Sequence, residues 1–251
     1  MPALGGVPRG RDTSLRFLHG ACATPAAQDE DEDTKIYKYE GEREVGEVVQ
    51  ITETHPDKPD ISQTQEVTLL GQRSGKGLAT FPNGDVYDGS YGKGVRSGPG
   101  KYTYAPPPLG EEEEAPEEPP PPVAVYEGAW KMGHKTGVGT MTYADGSKYQ
   151  GSWVKGKRQG IGTFYYPNGD IYSGDWEAGK KHGHGTYIFK ATQTRLKGTW
   201  EKGVAVSGEF SDDFGNVYKG SFGGDGSTMA YAAGGTFTLA SGAVAPYVAA
   251  A

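Results

Sequence analysis

Aromatic and small residues alternate along much of this chain with a period of two. In "YQGSWVKGKRQGIGTFYYPNGD", Tyr149, Gly151 and Trp153 fall at i, i+2 and i+4, with polar residues between them. A strand places all three on one face. Gly160, Gly162, Phe164 and Tyr166 share a second parity, so two glycines and then two rings complement the Tyr-Gly-Trp strand in an antiparallel pair. Glycine between rings leaves room for a neighbouring strand's rings to lie across the backbone. The Asn-Gly and Asp-Gly steps at 83–84, 145–146 and 168–169 are hairpin-turn signals.

The pattern repeats. The four Trp stand at 130, 153, 176 and 200. Tyr126, Tyr149, Tyr172 or Leu196 precedes each by four residues, with Gly128, Gly151, Gly174 or Gly198 between. A Gly-x-Gly follows the first three Trp at 137/139, 160/162 and 183/185. Upstream, Tyr87, Gly89, Tyr91 and Gly98/Gly100 keep the same internal spacing, and Tyr39-Glu40-Gly41 supplies a half-unit. Downstream, Tyr218, Gly220 and Phe222 hold it, while the expected Gly-x-Gly reads as Ser207 and Glu209 around Gly208. One hairpin is marginal in water, and stacked hairpins share a core. The expected fold is all-β: an elongated antiparallel hairpin-repeat ribbon or solenoid whose integrity rests on Tyr87, Gly89, Tyr91, Tyr126, Gly128, Trp130, Tyr149, Gly151, Trp153, Tyr172, Gly174, Trp176, Trp200 and Tyr218.

Two insertions interrupt the period. "PPPLGEEEEAPEEPPPP" lengthens the turn between Tyr104 and Tyr126, and a second insertion lies within 45–71. Loop closure grows slowly with length, so such insertions cost little. The expected organisation is a disordered tail at 1–35, a half-repeat with its insertion at 36–74, a repeat domain at 75–222 with the acidic proline-rich insertion at 105–125, and a Gly/Ala-rich segment at 223–251 in which "GGTFTLASG" forms one degenerate hairpin.

Composition agrees with strands and turns. Of 251 residues, 41 are Gly and 17 Pro, both costly inside helices. The single cysteine, Cys22, allows no internal disulfide and fits a reducing compartment. The net charge of -7 is uneven: residues 126–203 carry 12 Lys and Arg against 6 Asp and Glu. The acid lies in "DEDED" and in the 111–118 glutamates. Basic residues gather at the turns after each Trp: Lys131 and Lys135; Lys155, Lys157 and Arg158; Lys180 and Lys181. A stripe of cations along one edge suits an anionic surface or an acidic partner. Solvated sheet edges that use Lys to block edge-to-edge pairing read the same way.

Nothing in the spacing builds a reaction centre. "GQRSGKG" lacks the P-loop spacing and precedes no helix pattern. His182-x-His184 has no third ligand repeating beside it. Asp85 and Asp170 follow Asn-Gly in turns, where carboxylates serve as backbone hydrogen-bonders. No metal, cofactor, small-molecule substrate or nucleic acid is expected, and no catalytic residue is assigned.

The units "YEGAWKMGHKTGVGTMTYADGSKYQGSW" and "YSGDWEAGKKHGHGTYIF" resemble MORN repeats (membrane occupation and recognition nexus) over about residues 75–222. The layout is also similar to radial spoke head proteins of the ciliary axoneme, which open with an acidic segment, a "YEG" half-unit and a "GKGLATFPNGDVYDGSY"-like repeat. That resemblance implies a non-catalytic scaffold within a large complex, in contact with other axonemal proteins. The alternative is a peripheral adaptor that binds acidic phospholipid through the basic turns. Read as complete, the chain's Met1-Pro2 start offers no N-myristoylation acceptor and its "YVAAA" end no prenylation box, which favours the scaffold.

Overall fold

The structure, a computed structural model, describes residues 38–55, 58–68, 70–107, 120–223, 228–232 and 234–246, with a short strand at 15–16. For 15–16, 48–55, 58–68 and 228–230 it gives the backbone alone. The expected tail at 1–35, except that strand, and the 108–119 part of the acidic insertion lie outside the described residues. Every described element is a β-strand: β1 (Leu15–Arg16), β2 (Lys38–Arg43), β3 (Val48–His55), β4 (Lys58–Thr68), β5 (Arg73–Thr80), β6 (Val86–Gly92), β7 (Val95–Tyr104), β8 (Ala124–Lys131), β9 (His134–Tyr143), β10 (Lys148–Val154) and β11 (Lys157–Tyr165). There follow β12 (Ile171–Glu177), β13 (Lys180–Phe189), β14 (Thr194–Glu201), β15 (Val204–Ser211), β16 (Val217–Gly223), β17 (Thr228–Tyr231), β18 (Thr236–Thr238) and β19 (Val244–Pro246).

The chain divides into two compact units. In Pro25–Pro167, β2 pairs with β5, and β5 to β11 then pair consecutively, every pair antiparallel. The insertion within 45–71 makes its own two-stranded sheet, β3 against β4. In the second unit, Asn168–Ala251 with Met1–Thr24, β12 to β16 pair consecutively, β16 pairs with both β17 and β18, and β1 pairs with β17. β18 and β19 pair antiparallel.

One register rule governs both units: glycine faces glycine. In the first, Gly41, Gly77, Gly89, Gly100, Gly128, Gly139, Gly151 and Gly162 pair in succession across the strands. In the second, Gly174, Gly185, Gly198, Gly208 and Gly220 do the same. Gly208 corrects one expectation. The Gly-x-Gly before Tyr218 has lost its first glycine but keeps its second: Gly208 occupies the row, because one residue separates Ala205 from Ser207 where the regular units insert two.

One recurring turn type joins β6 to β7, β8 to β9, β10 to β11, β12 to β13 and β14 to β15. After each Trp, or Tyr91, a two-residue turn carries positive φ at both positions: Lys93-Gly94, Met132-Gly133, Lys155-Gly156, Ala178-Gly179 and Lys202-Gly203. This is the type I′ geometry that matches strand twist. The glycines of Gly-x-Gly do different jobs, where both were expected to clear space for rings. Gly160 sits in a bulge with φ +79°, and there Gln159, Gly160 and Ile161 oppose the single Ser152. Gly162 is the one that lies under a ring.

Candidate interaction face

The buried face is built from one recurring cluster. Tyr149 and Trp153 of β10 are almost fully buried, and Phe164 of β11 joins them. Tyr149 lies flat along its own strand, its ring over the Gly151–Gly162 pair. Its hydroxyl donates to the Ser152 carbonyl at 3.0 Å. Tyr87, Tyr126, Tyr172 and Tyr218 make the same i+3 bond. Trp153 stands edge-on to Tyr149 at 5.3 Å and to Tyr126 of the preceding hairpin at 5.2 Å. Its indole N–H donates to the Gly139 carbonyl. Trp130 and Trp200 reach back to Gly100 and Gly185 in the same way. A glycine carbonyl is reachable there because no side chain shields it. Burying each such ring contributes on the order of 1.5–3 kcal/mol. All the predicted integrity residues with rings (Tyr87, Tyr91, Tyr126, Trp130, Tyr149, Trp153, Tyr172, Trp176, Trp200 and Tyr218) are buried. Gly89, Gly128, Gly151 and Gly174 lie in the glycine rows beside them.

Cations complete this face. Arg158 pairs directly across from Trp153, Lys135 from Trp130, and Lys181 from Trp176. Cross-strand pairing puts them on the aromatic side. Lys181 Nζ stands 4.4 Å from the Trp200 centroid and 5.1 Å from that of Tyr187. Lys135 Nζ lies 5.5 Å from the Trp153 ring and donates to the Tyr104 hydroxyl at 2.7 Å. Arg158 lies over Tyr149 and Phe164. Arg96, opposite Tyr91, is fully buried among Phe81, Tyr87, Tyr102 and Trp130, 4.6 Å from the last. Each ring face attracts the cation, the more so where water is excluded.

The expected single stripe of basic turn residues is therefore split. Lys131, Lys155, Lys157 and Lys180 are exposed, whereas Lys135, Arg158 and Lys181 turn inward onto rings. The physical reason is strand parity: adjacent positions point to opposite faces. Sequence reasoning missed Arg96 and Arg73, the latter 5.3 Å from the Tyr91 ring. The available signal was position: Arg96 follows Tyr91 by five residues, as Arg158 follows Trp153.

Burial sets the titration of this face. It pushes Lys181 down to about 8 and the Tyr149 hydroxyl up to about 12, and it raises Tyr126 as well. At the opposite turns, Asp170 accepts from the Tyr187 hydroxyl, the Lys190 N–H and Asn168 Nδ2. Asp85 accepts likewise from Tyr102, Ala105 and Asn83. These carboxylates clamp one hairpin turn to the next strand's end. His182 contacts Glu177, and among the described residues no three His, Cys, Asp or Glu gather as a metal site.

Comparison with known families matches the MORN repeat at residues 70–86, 87–106, 126–148, 149–171 and 172–191. Comparison with curated protein sequences gives no match. Among solved structures, the chain is similar to the SAS-4 (dCPAP) TCP domain of Drosophila melanogaster in complex with a proline-rich motif of Ana2 (dSTIL), at 12% identity and TM-score 0.39, covering 80% of this chain and 90% of that one. It is also similar to the TCP10c domain of Drosophila melanogaster Sas-4, at 13% identity and TM-score 0.38, covering 80% and 100%. Neither score reaches 0.5, so neither bears on function. The family match and the hairpin units agree in period and boundaries: the chain carries five MORN repeats.

Proposed function

We propose that this chain is a non-catalytic scaffold subunit of the ciliary or flagellar axoneme, seated in the radial spoke head and acting through contacts with other spoke proteins. The observation that carries the scaffold reading is the use of the repeat's side chains. Rings, glycines, inward cations and turn carboxylates are engaged in holding strand to strand, which leaves the outer face, the turns and the insertions for partners. The axonemal assignment rests on the order of the acidic segment, the Tyr39-Glu40-Gly41 half-unit and the 75–91 repeat. The structure supports the half-unit's place in that order, since β2 pairs with β5.

The alternative, adsorption to acidic phospholipid, draws on the exposed basic turns. A cation near a charged bilayer contributes about 1 kcal/mol. With Lys135, Arg158 and Lys181 turned inward, fewer cations remain at the turns for headgroups, which favours the protein-scaffold reading. The deciding experiment is localisation of a tagged chain, followed by extraction of isolated axonemes. Retention through detergent with release by high salt is expected. Release by detergent alone would transfer the assignment to the membrane.

A further inference from the structure

In each regular repeat the strand that carries Gly-x-Gly leads to an aromatic residue four positions after its second glycine: Phe81, Tyr104, Tyr143, Tyr166 and Phe189. Along β15 and just past its end the series runs Gly208, Phe210, Asp212, so a carboxylate stands where that ring belongs. A cavity of about 280 Å³ opens there, walled by the rings of Phe210, Tyr218, Tyr231 and Phe237 and edged by Asp212 and Thr194. The rings form a connected set: Tyr231 lies 4.4 Å from Tyr218, 5.4 Å from Phe237 and 6.0 Å from Phe210. Asp212 is held in place, one oxygen accepting from the Phe214 and Asn216 N–H groups and the other from Asn216 Nδ2. Among the described residues, no lysine or arginine lines this space.

We propose that this cavity receives the cationic head of a lysine or arginine side chain from a partner protein. Four aromatic rings with one fixed carboxylate form a recognition surface for an ammonium or guanidinium group. The same unit shows the chemistry internally, with the Lys181 ammonium 4.4 Å from the Trp200 ring. Opposite Trp200, where the three preceding units place Lys135, Arg158 and Lys181 opposite their Trp, stands Ala205. The volume falls below that of pockets for drug-sized ligands, about 300–1,000 Å³, and suits one side chain. An apolar occupant would strip water from Asp212 without compensating it.

This deepens the scaffold reading, because it takes the occupant to belong to a protein. The test uses the purified full chain and two probes, the peptide Gly-Gly-Arg-Gly-Gly and its citrulline counterpart, which keeps the shape and removes the charge. Ring signals of Tyr231 and Phe237 are followed by NMR. Saturable shifts are expected with the arginine peptide, and affinity at least fivefold weaker with citrulline. Asp212→Phe, which restores the ring of the other repeats, should abolish the response. Asp212→Asn, which retains the shape should the first variant misfold, should weaken it at least fivefold. Equal response to both probes, no response to either, or unchanged binding by a folded Asp212→Asn protein overturns the proposal. None of these results touches axonemal retention, and loss of that retention leaves the cavity result standing.

Discussion

Gly162 lies beneath the Tyr149 ring so closely that a Cβ placed there would stand 2.5 and 2.6 Å from its ring carbons. No real side chain tolerates such a contact, and the backbone conformation at Gly162 is not left-handed. Space alone demands this glycine. At Gly160, two residues earlier, a Cβ would meet only Ser152 at an ordinary 3.5 Å, but φ is +79°, so there conformation makes the demand.

The distinction is measurable. Gly162→Ala should cost roughly 2–4 kcal/mol in denaturant unfolding, the scale of overpacking in a tight core. Gly160→Ala should cost about 1–2 kcal/mol, the left-handed penalty. Adding Tyr149→Leu should recover part of the first loss and none of the second, because only the first pair is in contact. Equal rescue of both would show that the ring is not the obstacle.

Lys181 makes stability depend on pH. Its ammonium is buried, and its folded pKa of about 8 lies below the ordinary value of 10.5. Between those values the unfolded chain holds a proton that the folded chain has released, so stability rises with pH. From pH 8 to pH 10 the gain is about 2 kcal/mol. Above pH 10 the sign reverses. Tyr149 titrates near 12 when folded against 10 unfolded, so the unfolded chain loses its proton first. Denaturant midpoints across pH 7–11 should trace a rise and then a fall. Lys181→Met should flatten the rise and leave the fall.

The turn carboxylates should be structural in proportion to their bonds. Asp170 accepts three hydrogen bonds, one of them from the buried Tyr187 hydroxyl. Asp170→Ala should therefore cost about 2–4 kcal/mol, much of it from the stranded hydroxyl. In a Tyr187→Phe background the cost should shrink by about 1 kcal/mol. An undiminished cost would place the energy in the turn backbone instead.

Much of this fold was legible in the residues. Tyr-Gly-Trp parity, Asn-Gly turns and a period of 23 residues fix hairpins and their pairing, because side-chain alternation and turn chemistry are local. The glycine rows could not be assigned by spacing alone at Gly208, since a bulge shorter by one residue shifts the count without moving the row. The inward cations were hidden for a different reason. Lys157 and Arg158 are neighbours of like charge, and composition treats them alike. Only the bond register, Trp153 opposite Arg158, separates them. The Asp212 cavity was invisible because it depends on rings from β15, β16, β17 and β18 meeting in space.

That separation yields the sharpest test of the candidate contacts. Lys157 is exposed beside its turn, whereas Arg158 lies 5.6 Å from the Tyr149 ring and 5.5 Å from that of Phe164. Lys157→Glu should change stability by no more than about 0.5 kcal/mol, as surface substitutions do. Arg158→Glu should cost about 2–3 kcal/mol, because it sets a carboxylate against the negative faces of two rings in a dry site. Arg158→Met, which keeps an apolar stem over the rings, should cost about 1 kcal/mol. Charge reversal at Lys131, Lys155, Lys157 and Lys180 together should leave the denaturant midpoint near wild type and, on the proposed axonemal reading, lower the salt concentration that frees the chain from axonemes. If instead the midpoint collapses with the outer lysines and holds with Arg158→Glu, the assignment of inward and outward cations is inverted.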